Sequence, residues 1–117
     1  VGQPYGKRLK CEKMKEHYER VHELNRFDNA STAEKLCKLF EEAGELAQGV
    51  NKTIGRKITE DTSEEIRDNV LEEAADTLQC IFSLLDDYDV TYDELCTRIG
   101  EKNGRWLEVI NKRKEKP

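Results

Sequence analysis

The fold is decided by two stretches of the chain, LCKLFEEAGELA at residues 36–47 and LEEAADTL at residues 71–78. Each lies within a longer segment in which apolar residues recur at the spacing of an amphipathic helix. Each also holds two carboxylates three residues apart, Glu42 with Glu45 and Glu73 with Asp76. Residues three apart share one face of a helix, so the two side chains of a pair point at the same place. Two such helices packed side by side would bring four carboxylates together.

The acidic pairs have the same position relative to the apolar stripe of each helix. The stripes consist of Leu36, Leu39, Ala43, Leu46, Ala47, Val50 and Ile54 in the first helix, and Val70, Ala74, Leu78, Ile81 and Leu85 in the second. At about 100° per residue, both acidic pairs lie on a flank of their stripe. Glu41 and Glu72 lie farther round and face outward. We therefore expect both pairs to border a core that the stripes form.

Converging carboxylates have two interpretations. They repel one another unless a cation lies between them, and a set of oxygen ligands favours a hard divalent ion such as Mg²⁺ or Mn²⁺. The alternative is that they are solvated faces or partners of nearby lysines, because 25 of the 117 residues are acidic. The spacing alone leaves both interpretations open.

Helix boundaries are signalled by three hydroxyl residues that each precede a glutamate by three positions. This is the pattern of a capping box, and it occurs at Ser31 with Glu34, Thr62 with Glu65, and Thr91 with Glu94. One helix is predicted to begin after an N-cap at Ser31 or Thr32 and to end at about 53. A second is predicted to begin after Thr62 or Ser63 and to end at about 87, and a third to run from Thr91 to the basic tail at 112–117. A further helix is predicted over about 7–24. We expect one all-α, four-helix bundle-like domain spanning residues 1–117.

Composition restricts the classes of partner. Charged residues make up 38% of the chain and the net charge is −5, whereas a duplex nucleic-acid binder usually has a basic face. This charge makes nucleic acid an unexpected partner. No apolar run reaches the length of a transmembrane helix, so a membrane is not an expected partner either. The four cysteines are far apart and form no zinc pattern, which is typical of reduced thiols in a cytoplasmic protein.

The two acidic stretches resemble the MazG family of all-α nucleoside triphosphate pyrophosphohydrolases, whose pattern is EExxE, a spacer, and ExxD. In this sequence the pattern consists of Glu41, Glu42, Glu45, Glu73 and Asp76, and the resemblance covers about residues 31–90. It implies a MazG-like fold and hydrolysis of a (d)NTP to a (d)NMP and pyrophosphate. It also implies that Mg²⁺, with Mn²⁺ as a substitute, is bound by Glu42, Glu45, Glu73 and Asp76.

The resemblance implies roles for three further residues. Glu41 is either a base that orients the attacking water or simply an exposed acid. The last helix of family members commonly carries a basic, amide-bearing segment that faces the substrate, so Lys102 and Asn103 are the expected substrate-binding residues. The alternative function is a non-catalytic or regulatory nucleotide-binding or interaction module on the same helical scaffold.

A homodimer or homotetramer is expected from the small core. The chain has 3 Phe, 1 Trp and 1 Met, and a domain of this length buries a low share of its surface. Phe40, Leu71 and Phe82 are predicted to lie on the side of the stripes away from the carboxylates. Apolar surface left over by one bundle usually marks an interface. The family resemblance also implies pairing of helices across a two-fold axis.

Overall fold

The computed structural model describes residues 13–55 and 57–116. Within these ranges the chain forms four α-helices, α1 Met14–Asn25, α2 Thr32–Thr53, α3 Ser63–Asp86 and α4 Tyr92–Glu115, and no strand. The all-α prediction is confirmed in this coarse form. The predicted start of the first helix near Lys7 lies outside the described residues, as does Arg56.

Capping boxes begin α2, α3 and α4, as the sequence predicts. At the start of α2, the backbone N–H of Glu34 donates to Ser31 Oγ at 3.1 Å, and the Ser31 N–H donates to Glu34 Oε1 at 2.8 Å. Thr62 and Thr91 make the same reciprocal bonds with the glutamate three residues later. Each box satisfies backbone donors that the first turn of a helix leaves without partners, so these three boundaries are set locally.

The α2–α3 pair is an antiparallel hairpin that is tied at both ends. Lys35 Nζ lies 2.6 Å from Asp87 Oδ1 at one end, and Lys52 Nζ lies 2.8 Å from Asp61 Oδ2 at the other. Between them the backbones approach closely at the buried Gly49, where an added Cβ would lie 3.1 Å from the Asn69 Nδ2 atom. Glycine therefore allows the two helices to pack tightly beside the acidic stretches.

Helix α1 packs on α3 through one buried aromatic residue and a set of polar bonds. Tyr18 is 1% exposed, its hydroxyl donates to Val90 O at 2.6 Å, and its ring lies 4.9 Å from that of Phe82. The Asn25 amide donates to Ser83 O and to Asp86 Oδ2, both at 3.0 Å. The prediction that Phe82 is left over on the surface is wrong, because the Tyr18 ring covers it.

Helix α4 contacts α1 alone among the described helices. Tyr92, at its start, has its ring 5.5 Å from that of Tyr18, and none of the α4 residues is buried. Trp106, which the periodicity places on an inner face, is 66% exposed. The radius of gyration is accordingly 17.8 Å, against about 13–14 Å for a compact chain of this length. The single chain is therefore open.

The apolar stripes form only part of the core that the sequence predicts. In α2 the buried residues are Glu42 and Gly49, Leu39 and Leu46 of the stripe are half-buried, and Val50 remains exposed. Tyr18 and Phe82 are the buried apolar side chains of the described residues. None of the described helices combines the length and apolar character needed to cross a membrane.

Candidate metal centre

Glu42 is at the centre of the acidic cluster. It is 6% exposed, and it can place one carboxylate oxygen within 4.8 Å of oxygens from Glu73 and Asp76 of α3. Glu42 also forms a group of the same dimensions with Glu41 and Glu45 of its own helix. The structure thus brings all four predicted ligands into two groups that share Glu42.

Two oxygens of this cluster are buried without a hydrogen-bond partner, Glu42 Oε2 and Glu73 Oε2. A buried carboxylate oxygen that lacks a donor loses its hydration without compensation, which costs about 1–3 kcal/mol or more. A divalent cation held by Glu42, Glu73 and Asp76 would supply this compensation. Without a metal, a proton on Glu73, hydrogen-bonded to Glu45 or Glu42, offsets part of the cost. The donor set consists of carboxylate oxygens, so the residues present fit Mg²⁺ or Mn²⁺.

The electrostatics of the cluster are those of carboxylates held too close to one another. Burial, followed by the neighbouring Glu45 and Glu42, raises the pKa of Glu73 to about 7. The pKa of Glu42 is instead lowered, chiefly by its hydrogen bond from Lys38. Below about pH 7 the metal-free cluster therefore holds a proton at Glu73 and a negative charge at Glu42.

Lys38 is a site residue that the sequence reasoning missed. Its Nζ lies 3.1 Å from Glu42 Oε1 and 4.0 Å from Glu41 Oε1. The signal was present in the sequence, because residues four apart on a helix are neighbours. Lys38 is thus the kind of lysine partner that the metal-free interpretation of the acidic cluster expects for Glu42. It pairs with Glu42 Oε1 only, and Glu42 Oε2 stays available to a metal, as the other interpretation requires.

A cavity of about 470 Å³ lies beside the cluster, between α1, the α1–α2 connection, α2 and α3. Its lining residues include the apolar Val21 and Leu24, and also Lys38 and Cys80, which adjoin the carboxylates. Burial, with a smaller effect of the Glu42 charge, raises the pKa of the Cys80 thiol. Mg²⁺ and Mn²⁺ prefer oxygen ligands to sulfur, so Cys80 is assigned to the cavity wall rather than to the ligand set.

The remaining predicted site residues lie in different places. Glu41 is exposed at the edge of the cluster, with a carboxylate oxygen close to those of Glu42 and Glu45. Lys102 and Asn103 lie on α4, which contacts neither α2 nor α3 within the described residues. The single chain therefore does not bring these two side chains to the carboxylates.

Comparison of the chain with family models, curated proteins and solved structures gave no match. The assignment of a function therefore depends on the carboxylate motif and on the geometry of the cluster and the cavity.

Proposed function

We propose that this chain is a Mg²⁺-dependent nucleoside triphosphate pyrophosphohydrolase of MazG-like fold, which cleaves a (d)NTP to a (d)NMP and pyrophosphate. The observation that carries the proposal is the convergence of Glu42, Glu73 and Asp76 across the hairpin, with two buried oxygens that have no donor. Solvated acidic faces have no reason to bury an oxygen in this way.

Glu42, Glu73 and Asp76 are the proposed Mg²⁺ ligands from both helices, and Glu45 joins them on the side of α2. Bound Mg²⁺ would neutralise charge on the phosphate oxygens and lower the pKa of a coordinated water. Glu41, exposed at the edge of the same group, is the proposed base that orients the attacking water. The attack on the α-phosphorus follows from the family resemblance.

The adjoining cavity is the proposed site of the nucleoside. Its volume of about 470 Å³ and its mixture of apolar and polar walls suit a small organic ligand. Lys38, shared by the cavity and the cluster, lies where the triphosphate would pass from the cavity to the metal. Lys102 and Asn103 remain proposed substrate-binding residues. Within one chain, Lys38 is closer to the carboxylates than Lys102 is.

The alternative is a non-catalytic nucleotide-binding module that uses the same cavity. The Lys38–Glu42 ion pair at 3.1 Å favours it, because a lysine can neutralise Glu42 without any metal. The two functions differ in turnover and in the requirement for Mg²⁺. Saturable nucleotide binding in a chelator, with no product over the full set of (d)NTPs, would establish the alternative.

The bond that is cut provides a direct test. Incubation with common (d)NTPs and Mg²⁺ in ¹⁸O-labelled water should give a monophosphate and pyrophosphate, with the label in the monophosphate. Mass spectrometry of both products measures this. Release of single phosphate with a diphosphate remaining would contradict the proposed attack on the α-phosphorus, even if the reaction required Mg²⁺.

Replacement of Lys38 should separate its two roles. In Lys38→Met, Glu42 loses the neutralising ammonium group, so we expect Mg²⁺ to bind a few-fold more tightly. The same variant should raise the KM for the nucleotide about tenfold, because a phosphate contact is lost. Calorimetric titration with Mg²⁺ and steady-state kinetics measure the two effects, and Lys13→Met, remote from the cluster, is the control. Weaker Mg²⁺ binding would show that Lys38 does not compete with the metal.

A further inference from the structure

The cavity beside the acidic cluster extends along α2 away from the carboxylates. Glu34 and Lys38, which precede Glu42 at intervals of one helical turn, both line it. The rise of an α-helix places Glu34 about 12 Å from Glu42 along the helix axis. Asp28 also lines the cavity, and it belongs to the α1–α2 connection that leads into this end of α2. We call the part of the cavity around Asp28 and Glu34 its outer end.

The other polar side chains near the outer end already have partners within the chain. The Asn25 amide nitrogen donates to two oxygens of α3, and its carbonyl oxygen accepts from Ser83 Oγ at 2.7 Å. The Lys35 side chain is 10% exposed, and its Nζ lies 2.6 Å from Asp87 Oδ1. These groups hold α1 and α2 on α3, so little of their hydrogen-bonding capacity is left for a ligand.

The outer end is thus left with acceptors that lack a donor. The Asp28 carboxylate makes no hydrogen bond or ion pair with any residue that the structure describes. Glu34 Oε1 accepts from the Ser31 N–H at 2.8 Å, whereas Glu34 Oε2 has no donor among those residues. The Ser31 backbone N–H, followed by the Ser31 hydroxyl, lowers the pKa of Glu34. This carboxylate is therefore ionised at neutral pH and can only accept hydrogen bonds.

The order of groups along the cavity is the order of the parts of a nucleotide. The proposed metal ligand Glu42 is at one end, and Lys38, proposed to meet the phosphates, is one turn of α2 away. Gln79, whose amide has no partner among the described residues, lines the cavity one turn of α3 beyond Asp76. A triphosphate bound at the metal would therefore extend its sugar past Gln79 and its base toward the outer end.

We propose that the outer end of the cavity selects a base that carries an exocyclic amino group, so that nucleotides of cytosine, adenine and guanine are preferred to those of uracil, thymine and hypoxanthine. The inference rests on the proposed function, since it assumes that the cavity holds the nucleoside. The amino group donates to the carboxylate of Asp28 or Glu34, and hydrogen bonds to an ionised acceptor are about twice as strong as those between neutral groups. Where uracil carries a carbonyl in place of the cytosine amino group, two acceptors face each other and neither has a donor.

The expected preference is moderate because the outer end is open to water. Asp28 and Glu34 are both exposed, so water can hydrate a carboxylate that a carbonyl-bearing base leaves unpaired. Enclosed sites that hydrogen-bond a substrate reject analogues without the bonding group by factors of about 10⁴–10⁵. For this open site we expect kcat/KM to be at least about tenfold higher for dCTP than for dUTP, which differ in the amino or carbonyl group at C4.

The test compares glutamate-to-glutamine substitutions at two capping boxes. Glu34→Gln keeps the box at the start of α2, because glutamine serves in that motif as glutamate does, but its amide can donate to a carbonyl. Combined with Asp28→Asn, it should bring kcat/KM for dCTP and dUTP within about twofold of each other. Glu65→Gln alters the equivalent glutamate of α3, which lies outside the cavity lining, and should keep the ratio of the unmodified chain. ATP and ITP provide the same comparison for purines.

Equilibrium binding separates a failure of this proposal from a failure of the proposed function. Calorimetric titration of the metal-free protein with dCMP and dUMP should show the preference for cytosine, and the double variant should lose it. If no nucleotide is hydrolysed but this binding preference is found, the base selection stands and the enzymatic function does not. Equal hydrolysis of dCTP and dUTP to monophosphates would overturn the base selection and leave the enzymatic function in place. A preference that persists in the double variant, or a chain that neither binds nor hydrolyses these nucleotides, would also overturn the base selection.

Discussion

Glu42→Gln is expected to reduce hydrolysis of the nucleotide at least about a thousandfold, because it removes the carboxylate that both acidic groups share. An amide keeps the shape of the side chain and one oxygen, but it loses the negative charge that would hold the metal. Helix content should not change, because Glu42 is central in α2 and takes no part in the capping of the helices. Asp76→Asn should have the same effect from the side of α3.

Two controls separate loss of the metal from loss of the fold. Removal of Mg²⁺ by a chelator should abolish hydrolysis by the unmodified chain, and Mg²⁺ or Mn²⁺ should restore it. Glu72→Gln changes an exposed residue next to Glu73 and should retain full activity. Steady-state rates and circular dichroism at matched protein concentration provide the comparison. Full activity in chelator, or an active Glu42→Gln variant, would exclude the proposed metal centre.

The convergence of the carboxylates was predictable because it depends on local geometry. Residues three apart share a helix face, and the capping boxes at Ser31, Thr62 and Thr91 fix where the helices begin. Two helices of known start and similar length, joined by a short connection, pack antiparallel with their centres side by side. Glu42 and Glu73 are close to those centres, so their meeting follows from properties that sequence patterns report.

The orientation of the helix faces was not predictable in the same way. Periodicity gives the angle between the apolar stripe and the carboxylates on one helix. It does not say whether the stripe or the carboxylates point toward the neighbouring helix. Gly49 and Glu42 lie on the side of α2 that faces α3, and the close approach at Gly49 favours this side. Phe82 was misplaced for a similar reason, since its burial depends on Tyr18, which is 64 residues away in the chain.

The metal-free protein should lose stability as pH rises from about 4.5 to 7, through the titration of Glu73. Its pKa in the folded protein is about 7, against an ordinary value of 4.5, because burial and the neighbouring Glu45 and Glu42 disfavour its charged form. The folded state therefore binds more protons than the unfolded state in this window, and stability is highest below it. Above pH 7 this contribution is lost and the slope should level off.

Binding of Mg²⁺ should show the opposite dependence, because the metal must replace the proton on Glu73. Below pH 7 the affinity should rise about tenfold for each unit of pH, and it should become constant above. In chelator, the melting temperature of Glu73→Gln should not show the pH dependence of the unmodified protein. At pH 8 the variant should melt at a higher temperature than the unmodified protein, because no buried charge remains at that position. Glu72→Gln should keep the slope of the unmodified protein, because its side chain faces solvent. Equal slopes for Glu73→Gln and the unmodified protein would show that Glu73 does not hold the proton, and the buried oxygen of Glu73 would then need another partner in the metal-free state.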